Sequence, residues 1–230
     1  MKRGLGIILL AVTMLVAPVA SAQTPPSPAE LKAYTGLLDA VAKGDMSKVK
    51  ELIKQGVDLN VRDSHGRTPL MVAAHMRDRR MLTALAAAGA DLNLLDNQAY
   101  DVITIASVLK DTMAVVLAVS MGGDATLITS PYEGTALIAA AHLGHVSVVR
   151  QLIKSGAPLD HVNNLGWTAL IESIVLGDGG PRHVATLKEL VEAGADVNLP
   201  DGEGRTPLTL ARMHKFTEME RILEAAGAKP

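Results

Sequence analysis

Along most of the chain, apolar residues fall into paired short runs that share a helical period. In LIAAAHLGHVSVVRQLIKSG (137–156) a first run ends near Gly144, and a second carries Val146, Val149, Leu152 and Ile153 at the spacing of one helix face. Polar and small residues punctuate the runs at fixed places. Thr68 and Thr206 stand where a side-chain oxygen can accept from the free amides of a helix start, and Pro69 and Pro207 follow at the first helical position, where a missing N–H costs nothing. Gly56, Gly89, Gly156, Gly194 and Gly227 supply the left-handed residue that ends a helix. The pattern predicts helix–turn–helix units, none of which can bury its own apolar face.

Two independent markers give these units one register. The first glycines of GVDLN (56–60), GADLN (89–93), GDATL (123–127), GAPLD (156–160), GADVN (194–198) and GAKP (227–230) are spaced 33, 34, 33, 38 and 33. The capping positions Thr35, Thr68, Asp101, Thr135, Thr168 and Thr206 are spaced 33, 33, 34, 33 and 38. The segments GRTPLMVAAHMRDRRMLTALAAAGADLNLLD (66–96) and GEGRTPLTLARMHKFTEMERILEAAGA (202–228) resemble ankyrin repeats. That resemblance covers residues 30–230 and implies an all-α solenoid of about six helix–turn–helix units with short hairpin tips: about 30–63, 64–96, 97–130, 131–163, 164–201 and 202–230. It also implies a protein–protein interaction module rather than an enzyme.

The sequence departs from the family pattern in places. The histidine usual after Thr-Pro-Leu is replaced by Leu38, Met71, Thr104, Ile138, Ile171 and Thr209, so its hydrogen bonds between neighbouring turns are expected to be missing. Unit three, with Asp101-Val102-Ile103 for Thr-Pro-Leu, is expected to be helical but less regular. Unit one lacks the proline and should cap the array. QTPPSP (23–28), within a linker spanning 23–29, reads as extended or disordered.

Residues 1–22 read as a secretory signal peptide: Lys2 and Arg3, an apolar run interrupted by Thr13 and Pro18, then Ala20-Ser21-Ala22 as the cleavage signal. The run is short for a membrane span, so the chain is expected to leave the membrane after cleavage and to be periplasmic. Cleavage removes two cations and no acid, taking the formal charge from −2 to −4, which offers no footprint for nucleic acid or anionic membrane. With no cysteine, the exported fold must stand without disulfides. Hydrophobic residues make up 48% of the chain but only five are aromatic, which suits closely packed helices.

The stretch LGDGGPRH (176–183) has the vocabulary of a catalytic turn. In register, however, Gly177 answers Gly144 and His183 answers His145, leaving Asp178 to Arg182 as a five-residue insertion between the two helices of unit five. It lacks the Lys-Ser/Thr of a phosphate loop, Asp178 would repel an anion, and Pro181 removes a donor. A lengthened turn with Pro181 opening the second helix, or a loop that touches a partner, are the remaining readings. His142 and His145 have a metal-like spacing but straddle a turn and fall short of the three or four ligands zinc needs. No nucleophile, base and orienter stand together, and no catalytic residue, metal or cofactor is assigned.

Recognition is therefore expected from residues the scaffold does not need. The position before the capping residue holds Arg67, Tyr100, Trp167 and Arg205, and Tyr132 lies on a neighbouring tip; these types are enriched in binding hot spots. At the ends of the first helices, Met76, Leu109, Leu143 and Leu176 suggest an apolar concave groove for a protein partner. An alternative within the same surface is an accessory or inhibitor of an envelope enzyme, in oxidative-stress defence or toxin immunity.

Overall fold

The computed structural model describes residues 24–230, so the proposed signal peptide lies outside the described residues. Each unit contributes a short first helix and a longer second helix. The first helices are α2 (Gly36–Ala42), α4 (Pro69–His75), α6 (Val102–Val108), α8 (Ala136–His142), α10 (Ala169–Val175) and α12 (Pro207–His214). The second helices are α3 (Met46–Lys54), α5 (Arg79–Ala87), α7 (Thr112–Ser120), α9 (Val146–Lys154), α11 (Pro181–Glu192) and α13 (Thr217–Ala225). The first helices pack in chain order as one layer and the second helices follow as another, so each unit buries its apolar face against its neighbours. Ala73, Ala106, Ala140 and Ala211 are fully buried in the first layer, where small side chains let helix backbones approach. Among the described residues no helix is long and apolar enough to cross a membrane.

The starts of the first helices follow the sequence pattern. The side chains of Thr68, Thr135, Thr168 and Thr206 each accept from the backbone amide three residues on. Asp101 does the same for Thr104 at 2.8 Å, and α6 has the same seven residues as α4 and α8. Unit three is therefore as regular as the others, contrary to expectation, because a carboxylate caps as well as a hydroxyl does. Burial raises the pKa of that carboxyl. Its second helix, α7, ends at Gly122 with φ 105°, one residue before the GDATL marker.

The hairpin tips share a second device. Asp63, Asp96, Asn163 and Asp201 each accept from the amides two and four residues ahead, at 2.8–3.0 Å, folding the chain back toward the next first helix. Only the tip before α8 forms strands among the described residues, β1 (Ile128–Thr129) pairing antiparallel with β2 (Gly134–Thr135). The buried Thr129 hydroxyl lies 2.9 Å from that of Thr104, joining this hairpin to α6.

Units are also stapled at the ends of their second helices. The side-chain oxygens of Asn60, Asn93, Asp160 and Asn198 accept from the backbone amides of Asp91, Asp124, Asp196 and Lys229 in the following unit, at 2.8–2.9 Å. One place in the series is different. The equivalent acceptor position, four residues after the left-handed Gly122, is Thr126, whose hydroxyl donates to Asp124 Oδ1 at 2.7 Å instead, and the equivalent donor is Pro158, which has no N–H.

The described residues before unit one, from Thr24, include a helix. Ser27 opens an additional helix, α1 (Pro28–Ala33), through a reciprocal capping box with Glu30, and Pro26 is buried. Of QTPPSP, Thr24 to Ser27 lie in an irregular stretch that Ser27 ends in an extended conformation, and Pro28 already opens α1; the Ser-x-x-Glu at 27–30 is the sequence signal for that helix.

Candidate binding surface

The nine residues expected to bind a partner divide into three groups. Arg67 and Tyr100 are 2% and 3% exposed, so neither faces a partner. Arg67 lies beneath the N-terminal segment. Its guanidinium donates to Asp63 Oδ2 at 2.7 Å, to the Thr24 carbonyl at 3.0 Å and to the Glu30 carboxylate. The Tyr34 hydroxyl donates to the same Asp63 oxygen at 2.6 Å. Burial would raise the Asp63 pKa, but the bonds from Tyr34 and Arg67 outweigh it and hold the carboxyl low. Glu30 is held down to about 2 by the Ser27 hydroxyl first and amide second, with Arg67 adding to both. Tyr100 turns inward because its amide is given to Asp96 and its ring joins the core, where burial pushes the phenol up to about 12.

Four residues are half-buried. Leu109 and Trp167 pack against the core, Leu143 sits at the end of α8, and Arg205 is paired with Asp201 at 2.6 Å and Glu203 at 2.9 Å. Exposed are Met76, Tyr132 and Leu176, at 38, 45 and 40%. The expectation that Arg67, Tyr100, Trp167 and Arg205 present themselves together to a partner is therefore not met: Arg67 and Tyr100 are buried, and Trp167 and Arg205 only half-exposed.

A different cluster stands in its place. Ile128, Tyr132, Val162 and Leu165 are all exposed, on the tips before α8 and α10. The two tips are clamped together: Asn164 donates from its amide to the Tyr132 carbonyl at 2.9 Å and from Nδ2 to the Pro131 carbonyl at 3.2 Å, and His161 Nε2 lies 2.6 Å from the Glu133 carbonyl. Tip residues outside helices and strands are normally polar, so the apolar Val162 and Leu165 are a signal legible in the sequence, and Ile128 exposes its side chain from β1. The ends of the first helices add Met213, the most exposed of the large apolar residues at 60%.

The neighbouring polar chemistry is internal. Glu172, 5% exposed on α10, accepts from Asn163 Nδ2 at 2.9 Å and lies 3.1 Å from His142 Nδ1. His145 Nδ1 instead meets the Ser107 carbonyl at 2.9 Å, so the two histidines of the H-x-x-H spacing serve separate partners. In the insertion, Pro181 begins α11 as expected, and only 178–180 remain in the turn. His183 Nδ1 lies 2.7 Å from Asp178 Oδ1 and its Nε2 2.9 Å from the His142 carbonyl. That contact lowers the Asp178 pKa. Asn163, Glu172, His142, His183 and Asp178 thus link the tip before α10 to the insertion through the first-helix layer. Glu30, Asp63 and His65 are the one group among the described residues close enough to share a cation, but the Arg67 guanidinium already sits on both carboxylates.

This arrangement defines an ankyrin-repeat solenoid, a protein–protein interaction module. The family model "Ankyrin repeats (3 copies)" matches residues 11–100 and 102–201, and the chain belongs to that family. The ankyrin repeat protein YahD of Escherichia coli (strain K12) is 35% identical over 190 residues, 82% of this chain and 94% of that protein. A solved ankyrin repeat domain from Acinetobacter baumannii superposes with a TM-score of 0.80 at 40% identity, covering 84% of this chain and 98% of that one. A chain in the complex of a predatory endopeptidase with an immunity protein from Bdellovibrio bacteriovorus shares the fold, with a TM-score of 0.69 and 24% identity over 84% of this chain and 98% of that one.

Proposed function

We propose that the chain is a non-enzymatic interaction module of the bacterial envelope. It holds a partner protein against the tips before α8 and α10 and along the exposed ends of the first helices. The observation that carries this reading is the group Ile128, Tyr132, Val162 and Leu165: apolar side chains on two clamped tips whose turn chemistry calls for none of them. Met76, Leu176 and Met213 extend it along the first-helix ends. The envelope assignment is supported by the leader-like pattern of residues 1–22. A narrower reading, in which the partner is an envelope enzyme that the chain restrains or supports, takes its lead from the Bdellovibrio complex of an endopeptidase with an immunity protein.

The test is capture from the envelope fraction with the wild-type chain and with Tyr132→Ala and Leu165→Asp. Both positions are exposed, so the fold should survive, and a hot-spot loss of about 2 kcal/mol would weaken binding about 30-fold. Unchanged capture by both folded variants would place the binding surface elsewhere.

A further inference from the structure

The layer of second helices is uneven. α3 packs against α5 less closely than any other adjacent pair in that layer, which leaves an open trench of about 470 Å³. Its floor is made by Thr83, Ala84 and Ala87 of α5, small residues over which another helix backbone could approach closely. Met46 of α3 and Leu117 of α7 form apolar walls on either side.

The rim of the trench is cationic. Lys50, Arg79 and Arg80 line it, and no carboxylate does. Arg79 is held by Asp111 at 2.8 Å, but Lys50 and Arg80 make no ion pair among the described residues. Elsewhere in this layer Arg150 of α9 is paired with Glu189 of α11, and Lys188 of α11 with Glu192 one turn on. The apolar surface also continues past the trench. α7 has no charged residue between Asp111 and Asp124, and Met113 on it is 51% exposed, although the outward face of a surface helix is ordinarily polar.

We propose that this trench is a second docking surface, for an acidic amphipathic helix of a partner protein. The helix would lie along α5 for about three turns, its small apolar face on Ala84, Ala87 and Leu117, its carboxylates toward Lys50 and Arg80. The chain carries a formal charge of −2, so an acidic segment gains nothing from the net charge and is drawn by the local cationic rim. The surface lies on α3, α5 and α7, apart from the tips before α8 and α10, and stands whether or not those tips bind.

The test uses a synthetic helical peptide with an Ala/Leu seam flanked by glutamates, the same seam flanked by lysines, and phosphatidylglycerol vesicles, each titrated onto the folded chain. The glutamate peptide should bind at least 10-fold more tightly than the lysine peptide and should weaken as salt rises. Lys50→Glu with Arg80→Glu should reduce its affinity at least 10-fold, and Ala84→Arg should block it, with unchanged circular dichroism and melting temperature; Tyr132→Ala should leave it as it was. Equal binding of both peptides, no binding of either, or indifference to Ala84→Arg would overturn the proposal. Vesicle binding without peptide binding would overturn it in favour of a membrane surface. Self-association lost in Ala84→Arg, without peptide binding, would overturn it in favour of a contact between copies.

Discussion

Replacing Arg67 by Met tests whether the N-terminal segment is held by one buried cation. The variant keeps the volume of the aliphatic stem but removes the guanidinium, which is 2% exposed and faces Asp63, Glu30 and the Thr24 carbonyl. Breaking a buried ion pair from one side costs about 3–5 kcal/mol, because the remaining charge stays buried and unpaired. Asp63 would still accept from the Tyr34 hydroxyl and from the amides of His65 and residue 67, so the lower end, about 3 kcal/mol, is expected. For about 200 residues the unfolding entropy turns that into a fall of about 7 °C in melting temperature. Hydrogen exchange should show the loss first in α1, ahead of the later units. Adding Asp63→Asn removes the stranded charge and should recover about half of the loss. A fall below 2 °C for Arg67→Met, or no gain from the second substitution, would refute the reasoning. The same cluster sets an acid limb. Glu30 has a folded pKa of about 2 against an ordinary value of 4.5, so the unfolded chain binds the extra proton. The stability it contributes is complete above pH 4.5 and is lost as pH falls toward 2. Arg67→Met should flatten that limb only in part, because the Ser27 hydroxyl and amide are the larger causes and remain.

Three other outcomes follow from the geometry. Gly179 has φ 65°, and a Cβ there would stand 2.3 Å from the Phe216 ring, so Gly179→Ala should cost about 2 kcal/mol in urea unfolding, whereas Gly204→Ala, with open space around it, should cost about 1. His75 is held down to about 4 by burial, so its neutral form favours the fold above pH 6.5 and that advantage is lost as pH falls through about 4; His75→Gln should shallow the fall in melting temperature over that window. Asn93→Ala should cost about 1 kcal/mol by removing the acceptor for the Asp124 amide, while Thr126→Asn should gain nothing unless Pro158→Asp supplies the missing donor; a gain from Thr126→Asn alone would disprove the staple.

The register of the solenoid was legible because its signals are local. A capping oxygen, a following proline and a left-handed glycine act within one turn of chain, so they report the same structure in every unit, including the insertion whose Pro181 opens α11. Asp101 shows the limit of reading a pattern by residue name, since its carboxylate performs the threonine's task and unit three stays regular. The binding surface was less legible. Arg67 and Tyr100 share a sequence position with Trp167 and Arg205, yet their exposure depends on what covers them: for Arg67, a segment about 40 residues earlier in the chain. The tip cluster is displaced by a few residues from the positions the family pattern draws attention to, and the trench arises from the spacing of whole helices, which no local motif records.

Thr126 and Pro158 have a consequence for how such an array can be rearranged. At the other junctions an acceptor in one unit meets a donor amide in the next, and those units could in principle be exchanged. Here both halves have changed together, so unit three accepts nothing and unit four offers nothing. Placing unit four after unit two would strand the Asn93 carboxamide, and placing unit five after unit three would leave the Asp196 amide facing only the short Thr126 hydroxyl, which is turned to Asp124. The order of the middle units is thereby written into two residues, and duplication or shuffling of repeats is constrained at this junction more than at any other.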